Sequence, residues 1–251
     1  MTTKQDFRSY KKIGELLKQK LASGLYAIGD RLPPERDFAE ELNVSRTVIR
    51  EAMIMLELEG LIEIRKGSGS YVIALPSQQQ NLNSHYSGDI GPFELLQARQ
   101  LLESSIAEFA AIQANRSDIV KLKAILDRER ATLEHGDEDY IADKDFHIAI
   151  AEITQNEALI RLQKNLWRYR TDSNMWKGLH SHIPNQNYRV LWLTDHQNII
   201  NAIQRKDPVA AKKAMWQHIE NVKQKLFELS DIDDPNFDGY LFNINPVAVG
   251  I

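Results

Sequence analysis

The segment from Leu32 to Val72 constrains the fold of this chain more than any other part of the sequence. Apolar residues recur at a helical period in two short runs, Glu35–Leu42 and Arg46–Glu59. A brief turn that ends at Ser45, a typical N-cap residue, separates the runs, and Gly60 ends the second one. The segment therefore predicts two short helices joined by a tight turn.

A small β-hairpin is predicted directly after these helices. Leu61–Ile64 and Ser70–Ile73 are short runs rich in β-forming residues. The connection between them, residues 65–69, reads Arg-Lys-Gly-Ser-Gly and is basic and contains two glycines. Such a tip can approach a phosphate backbone closely. Two helices, a turn and a basic hairpin together form the pattern of a winged helix-turn-helix that binds duplex DNA.

The second of the two helices is the predicted recognition helix, because its N-terminal end carries polar residues that we expect to point outward. A recognition helix reads base edges in the major groove from that end. Arg46 and Arg50 are expected to contact base edges, since a guanidinium pairs well with O6 and N7 of guanine. The remaining predicted contacts are expected to lie at phosphates or in the minor groove. The residues predicted to contact DNA are Arg36, Ser45, Arg46, Thr47, Arg50, Lys66 and Gly67.

Composition limits the class of protein. The formal net charge of the 251 residues is −4, which argues against a protein that coats nucleic acid generally. The charge is uneven, because residues 1–75 contain 12 Lys and Arg against 11 Asp and Glu, whereas the remainder contains 19 against 24. The absence of cysteine excludes disulfides and thiolate metal sites. The N-terminus lacks the apolar core of a signal peptide and no apolar run is long enough to span a membrane, so we expect a cytoplasmic protein.

The rest of the sequence predicts a second domain that is helical almost throughout. The predicted divisions are a winged helix-turn-helix at 8–75, a polar linker at 76–92, an all-α domain at 93–230 and a C-terminal tail at 231–251. Ser117 is predicted to cap the second helix of that domain, and Thr194 to begin a later one. The fold class is therefore mainly α, with the β-hairpin wing followed by an antiparallel all-α bundle of six or seven helices.

Four residues of the helical domain form a candidate metal site. Asp143 and His147 are four residues apart and project from one helix face. His196 and His218 lie at similar distances on either side of a turn, so an antiparallel helix pair brings them to the same height. Three imidazoles and a carboxylate suit Zn²⁺, Ni²⁺, Mn²⁺ or Fe²⁺. A histidine taken singly is more often a hydrogen-bonded or solvated side chain. Asp145, the competing carboxylate, is expected to face away.

Two arginines are candidates for binding an anionic ligand. Arg99 has Glu103 four residues later, so it is either a surface ion pair or an inward guanidinium that binds a carboxylate. Arg170 lies near a helix end among aromatic residues, including Trp167. The tryptophans are expected in the core, although Trp167 and Trp176 are candidates for lining a polar pocket.

The N-terminal motifs resemble the DNA-binding domain of the GntR family, and the helical half resembles the FCD ligand-binding domain of its FadR subfamily. The resemblance covers roughly residues 8 to 230. Within the subfamily the chain is similar to hexuronate-utilisation repressors of the UxuR and ExuR type. The segments that carry the resemblance are Leu32–Arg36, Val44–Ala52, Gly60-Leu61, Lys66–Gly69, Gly91–Gln100, Arg205–Pro208, Ala214–His218 and Tyr240–Phe242.

The resemblance implies a metal-assisted, ligand-responsive repressor. In the subfamily many members bind a metal through an aspartate, a histidine one turn later and two further histidines, which match Asp143, His147, His196 and His218. The implied effector is a sugar acid such as glucuronate, galacturonate or fructuronate, whose carboxylate would meet the metal and Arg99. Members of this kind bind operator DNA as homodimers and release it when the effector binds.

Three alternatives remain open from the sequence. One alternative is a regulator that senses another small carboxylate such as lactate, pyruvate or gluconate. A second is a regulator for which the metal itself is the signal. A metal-dependent enzyme that acts on a sugar acid belongs to a different class. The sequence has no glycine-rich phosphate loop and no nucleophile–base arrangement, so we expect that the protein is not an enzyme.

Overall fold

A computed structural model of the chain describes residues 9–65, 68–76, 89–134, 140–181 and 189–230. Within these ranges the chain forms ten α-helices and one two-stranded antiparallel sheet, so the predicted mainly α fold with a hairpin wing is confirmed. In chain order the elements are α1 (Tyr10–Ala22), α2 (Glu35–Leu42), α3 (Arg46–Leu58), β1 (Ile62–Arg65), β2 (Gly69–Val72), α4 (Pro92–Gln113), α5 (Arg116–Glu134), α6 (Ile141–Ile153), α7 (Glu157–Asp172), α8 (Asn174–Ser181), α9 (Val190–Gln204) and α10 (Pro208–Ser230).

The chain divides into two compact units, and the first holds the helix-turn-helix. This unit consists of the described residues within Met1–Phe93, Ser173–His182 and Phe227–Ile251. Its core contains one face of α1, the inner sides of α2 and α3, and the apolar side of the hairpin. The fully buried core residues include Ile13, Phe38, Ile49, Leu56 and Val72. Burial of these apolar side chains stabilises the unit.

The turn between α2 and α3 forms as the sequence predicts. Asn43 ends α2 with a φ of 53°, a left-handed conformation that asparagine tolerates better than most residues. The hydroxyl of Ser45 accepts a hydrogen bond from the backbone N–H of Val48 at 3.4 Å, which caps α3. Gly60 has a φ of 72° and lies just beyond the end of α3.

The wing is a regular antiparallel hairpin. Ile62 pairs with Val72 and Ile64 with Ser70, and an additional bridge joins Arg31 to Tyr71. Two predicted DNA contacts at the tip, Lys66 and Gly67, lie outside the described residues.

Helix α8 packs against α3 in this first unit, although the sequence places it within the predicted helical domain. Gly178 makes the contact close, because a Cβ there would approach Ile54 Cγ2 to 2.8 Å. The carboxylate of Asp89 accepts hydrogen bonds from the backbone N–H groups of Asn174 and Met175 at 2.9 and 3.0 Å. These bonds satisfy two donors at the start of α8, which otherwise have no partner within the helix.

The second unit is an antiparallel helical bundle that comprises the described residues within Glu94–Asp172 and Ile183–Leu226. Helix α5 packs against α6 and α9, and α6 packs against α7. Asn115 caps α5 through its side-chain oxygen, which accepts from the backbone N–H of Ser117 at 2.8 Å, so the prediction of Ser117 as the cap is wrong. Helix α9 begins at Val190 rather than at the predicted Thr194.

The predicted linker and tail fall largely outside the part of the chain that is described. Residues 77–88 of the linker and the tail from residue 231 are in this category. Within the described residues, no helix combines the length and the apolar character that crossing a bilayer requires.

Candidate functional site

Three helices of the bundle bring the four predicted metal ligands together. Asp143 and His147 lie on successive turns of α6, His196 lies on α9 and His218 lies on α10. All four side chains are buried, and one potential ligand atom from each lies within 4.8 Å of the others. The sequence prediction depended on helical spacing and on matched heights, and the bundle has both features.

The Nε2 atoms of the three histidines face the interior of this cluster. His147 Nε2 lies 3.3 Å and His196 Nε2 lies 3.7 Å from Asp143 Oδ1. His196 Nε2 is 3.2 Å from His218 Nε2. His147 Nε2 is buried and has no hydrogen-bond partner among the described residues. Nitrogen lone pairs that converge with a carboxylate oxygen fit a divalent transition metal, so the donor set is chemically suited to such an ion.

A carboxylate lies beside the other ring nitrogen of each histidine. Glu129 Oε2 is 2.8 Å from His196 Nδ1, and Asp195 Oδ2 is 3.4 Å from His218 Nδ1. Glu103 Oε2 approaches His147 Nδ1 to 2.7 Å, although that contact has the distance of an ion pair without the alignment of a good hydrogen bond. Carboxylates in this position orient metal-binding imidazoles and make them better donors.

The pKa values of His147 and His218 are shifted in opposite directions. Burial lowers the pKa of His147, but the charges of Glu103 and Asp143 outweigh it and raise that pKa to about 9. Burial and the charge of His196 lower the pKa of His218 to about 3. Burial raises the pKa of Glu103, yet Arg99 and His147 together hold it below its ordinary value. His147 therefore carries a proton near neutral pH when no ion is bound, whereas His218 does not.

Arginines and aromatic rings lie next to the histidines. Arg99 pairs with Glu103 at 2.7 Å, is buried, and stacks 4.5 Å from the Trp167 ring centroid. The i,i+4 pair therefore forms, but it is buried, so the prediction of a surface pair is wrong. The binding of a ligand carboxylate by Arg99 stays a prediction. Arg170 lies 3.8 Å from the Tyr140 centroid. Trp167 is in this site, whereas Trp176 belongs to the other unit.

Sequence reasoning missed several members of this site. Glu129 and Asp195 are single acidic residues on helices and look like parts of a solvated face. Arg189 is fully buried and lies 4.0 Å from the Tyr140 centroid. Its position just before α9, next to apolar residues, was the only signal that could have indicated it. Asp145 faces outward and pairs with Arg128, as predicted.

In the first unit, the recognition helix carries a buried ion pair. Arg50 Nε and one terminal nitrogen each lie 2.7 Å from the Glu35 carboxylate. The other terminal nitrogen donates to the backbone carbonyl of Phe227 at 3.1 Å and to the Ser230 hydroxyl at 2.6 Å. Arg50 is 2% exposed, so the expectation that it points outward is wrong for this structure. The cause is that Phe227 and Ser230, which lie at the end of α10 and are distant in sequence, contact its guanidinium.

The other predicted DNA contacts differ in accessibility. Arg46 is also buried, and its guanidinium lies 5.3 Å from the Phe227 ring centroid. Thr47 is buried, and its hydroxyl is 2.9 Å from that of Ser45. The side chain of Arg36 is 61% exposed, with Asp37 at 3.5 Å. The roles of these residues on DNA remain predictions.

Comparisons with known proteins agree with this architecture. A family model described as "Bacterial regulatory proteins, gntR family" matches residues 9–72, and one described as "FCD domain" matches residues 94–221. The Uxu operon regulator of Haemophilus influenzae is 59% identical over 246 residues, which cover 97% of this chain and 91% of the relative. The Uxu operon transcriptional regulator of Escherichia coli is 50% identical, with coverage of 96% and 95%. The Exu regulon transcriptional regulator of Escherichia coli is 49% identical, with coverage of 96% and 93%.

Proposed function

We propose, because the chain belongs to the GntR family of bacterial regulatory proteins and carries an FCD domain, that it is a DNA-binding transcriptional regulator of hexuronate use. It acts in the cytoplasm as a repressor and leaves its operator when a sugar acid binds to the helical unit. The observation that carries the proposal is the buried Asp143–His147–His196–His218 cluster with arginines beside it, in a chain that also has a winged helix-turn-helix.

The helical unit supplies a ligand site built around a metal. Asp143, His147, His196 and His218 would hold a divalent ion, for which zinc is the expected choice and nickel, manganese or iron are alternatives. When bound, such an ion supplies a Lewis-acidic centre for a ligand oxygen. Arg99 and Arg170 are proposed to bind the effector, because a guanidinium forms bidentate pairs with a carboxylate.

The first unit supplies operator recognition. A homodimer places two recognition helices on the two half-sites of a palindrome. Arg46 and Arg50 read base edges, and Arg36, Ser45, Thr47, Lys66 and Gly67 contact the backbone or the minor groove. Arg50 can do so only after its contacts with Phe227 and Ser230 change. DNA binding therefore requires a rearrangement of side chains at the start of α3.

The experiment that tests the proposal is a fluorescence-anisotropy titration on DNA from upstream of the protein's own gene, at fixed salt, with and without a panel of hexuronates. We expect tight DNA binding that one hexuronate reverses. His196→Ala removes a proposed metal ligand and should abolish this reversal. Binding that no hexuronate changes would leave the DNA-binding role standing and refute the effector class. Release by lactate, pyruvate or gluconate would assign a different carboxylate.

The alternative of a metal-dependent enzyme finds no support among the relatives. Those compared above are named as regulators, and a gntR-family DNA-binding region precedes the metal cluster. The protein is accordingly a regulator and not an enzyme.

A further inference from the structure

The inner face of α7 is unusual for a helix in a bundle, because each of its buried side chains carries polar atoms. These side chains are Gln163, Trp167 and Arg170, which lie on one face at spacings of four and three residues. A helix that packs on a core ordinarily buries aliphatic residues on that stripe. A buried polar stripe is costly unless its atoms find partners, so it requires a reason beyond packing.

Two atoms on this stripe are buried without a partner among the described residues. They are Gln163 Oε1, an acceptor, and Trp167 Nε1, a donor. The Gln163 amide nitrogen donates to Glu103 Oε1 at 2.9 Å. An ionised carboxylate only accepts hydrogen bonds, so the amide nitrogen and not the amide oxygen faces Glu103. An acceptor and a donor on successive turns match a ligand hydroxyl, which donates one hydrogen bond and accepts others.

Two guanidinium groups, one of them from the stripe itself, lie at its C-terminal end. Arg170 and Arg189 are 3.8 and 4.0 Å from the centroid of one ring, that of Tyr140. Both are buried, and the distance between their charges cannot exceed the sum of these two values. A guanidinium donates several hydrogen bonds in a fixed planar arrangement, so this pair suits the oxygen atoms of an acidic or polyhydroxylated ligand.

Aromatic rings connect the arginine pair with the histidine cluster. The Trp167 centroid is 5.6 Å from that of His147, and Arg170 is 5.0 Å from the Trp167 ring. On the other side, the Trp192 centroid is 6.2 Å from that of His218 and 6.3 Å from that of Tyr140. A ligand that contacts both the histidine cluster and the arginine pair therefore lies along these aromatic faces.

We propose that Gln163, Trp167, Arg170 and Arg189 form a second subsite that selects an acid bearing several hydroxyl groups over a short 2-hydroxy acid. One ligand hydroxyl donates to Gln163 Oε1 and accepts from Trp167 Nε1, and the arginine pair binds oxygen atoms distant from the histidines. The inference rests on the proposed function, since it specifies which small carboxylates the helical unit accepts.

The test measures the dissociation constants of D-glucuronate and L-lactate by calorimetry on the full-length, metal-loaded protein. Trp167→Phe retains the ring and removes only the N–H. We expect it to weaken D-glucuronate binding by about three- to tenfold and to leave L-lactate binding unchanged. Arg189→Gln should weaken D-glucuronate binding by at least about tenfold. Trp176→Phe is the matched control, because it makes the same change at a buried tryptophan of the other unit.

Variants that retain one equivalent of metal and the wild-type melting temperature are compared. If both variants bind D-glucuronate as tightly as the wild-type protein does, the second subsite is refuted and the effector proposal stays intact. An equal loss of affinity for D-glucuronate and L-lactate would also overturn it, because a selective subsite must change the ratio of the two dissociation constants. A wild-type protein that binds no hexuronate would instead overturn the effector class proposed above, and the subsite with it.

Discussion

A proton on His147 competes with a metal ion for the same imidazole nitrogen. Glu103 and Asp143 raise the pKa of His147 to about 9, whereas that of His218 is lowered to about 3. An ion can bind His147 only after this proton leaves, and His218 has none to lose near neutral pH. Metal affinity should therefore rise with pH up to about 9 and then level off.

Calorimetry in buffers of different ionisation enthalpy checks this expectation. Metal binding near neutral pH should release the proton of His147. Glu103→Gln removes the charge that contributes most to raising the pKa of His147, so this variant should release fewer protons. Proton release that is absent in the wild-type protein would contradict the assignment.

Arg46 is the residue from which we expect a measurable loss of operator discrimination. Arg46→Ala should reduce the free-energy difference between operator and unrelated DNA by about 1–3 kcal/mol and retain nonspecific binding. Lys20→Ala is a suitable control, since Lys20 pairs with Glu41 on the surface and is not a predicted contact. Gel-shift titrations with both DNAs measure the effect. If the variant prefers the operator as strongly as the wild-type protein does, Arg46 does not contribute to base recognition.

At the scale of elements, α2 and α3 are held together by the bidentate Glu35–Arg50 pair as well as by their apolar faces. Both side chains are buried, at 5% and 2% exposed. Removing one partner leaves a buried charge without its counterpart, so Glu35→Ala should lower the free energy of unfolding by about 3 kcal/mol or more. Glu40→Ala changes an exposed position on the same helix and should have little effect. Urea unfolding followed by circular dichroism compares them, and equal losses would argue against a stabilising pair.

The elements that the sequence predicted well are those with local signals. Ser45 and Gly60 set the ends of α3, and the four-residue spacing of Asp143 and His147 places both on one face of α6. His196 and His218 were predictable because the turn between α9 and α10 is short, so equal distances along two antiparallel helices meet.

The features that the sequence did not predict depend on contacts between distant segments. Nothing near Arg50 indicates that Phe227 and Ser230 would cover it, because these residues are separated by 177 and 180 positions. Glu129 resembles any acidic residue of a solvated helix face until α9 brings His196 beside it. Charge patterns alone do not reveal which face of a helix another helix will cover.

At the scale of the whole molecule, the effector must prefer one state of the protein to act as a signal. A change from 1% to 99% released protein requires about 5.5 kcal/mol of preference for the released state, or about ten-thousandfold in affinity. An effector that contacts residues from the histidine cluster to Arg189, as proposed above, makes more contacts that can differ between the two states than one bound through a single carboxylate does.

Removal of the metal should affect stability and response differently. An ion present at a hundred times its dissociation constant stabilises the folded protein by about 2.7 kcal/mol, so chelation should lower the melting temperature. The chelated protein should still bind operator DNA but no longer respond to a hexuronate. Anisotropy and thermal melting on the same sample test both points. Release of DNA by chelation alone, with no acid added, would show that the metal itself is the signal.

The Glu35–Arg50 pair also has a consequence for the polyelectrolyte behaviour of the complex. A cation already neutralised inside the protein displaces no counterions from DNA, so the proposed base contact of Arg50 should not add to the dependence of affinity on salt. Arg36, which is largely exposed, should behave in the opposite way. In plots of log affinity against log salt concentration, Arg36→Ala should reduce the slope by about one, whereas the double change Glu35→Gln with Arg50→Gln should leave it unaltered.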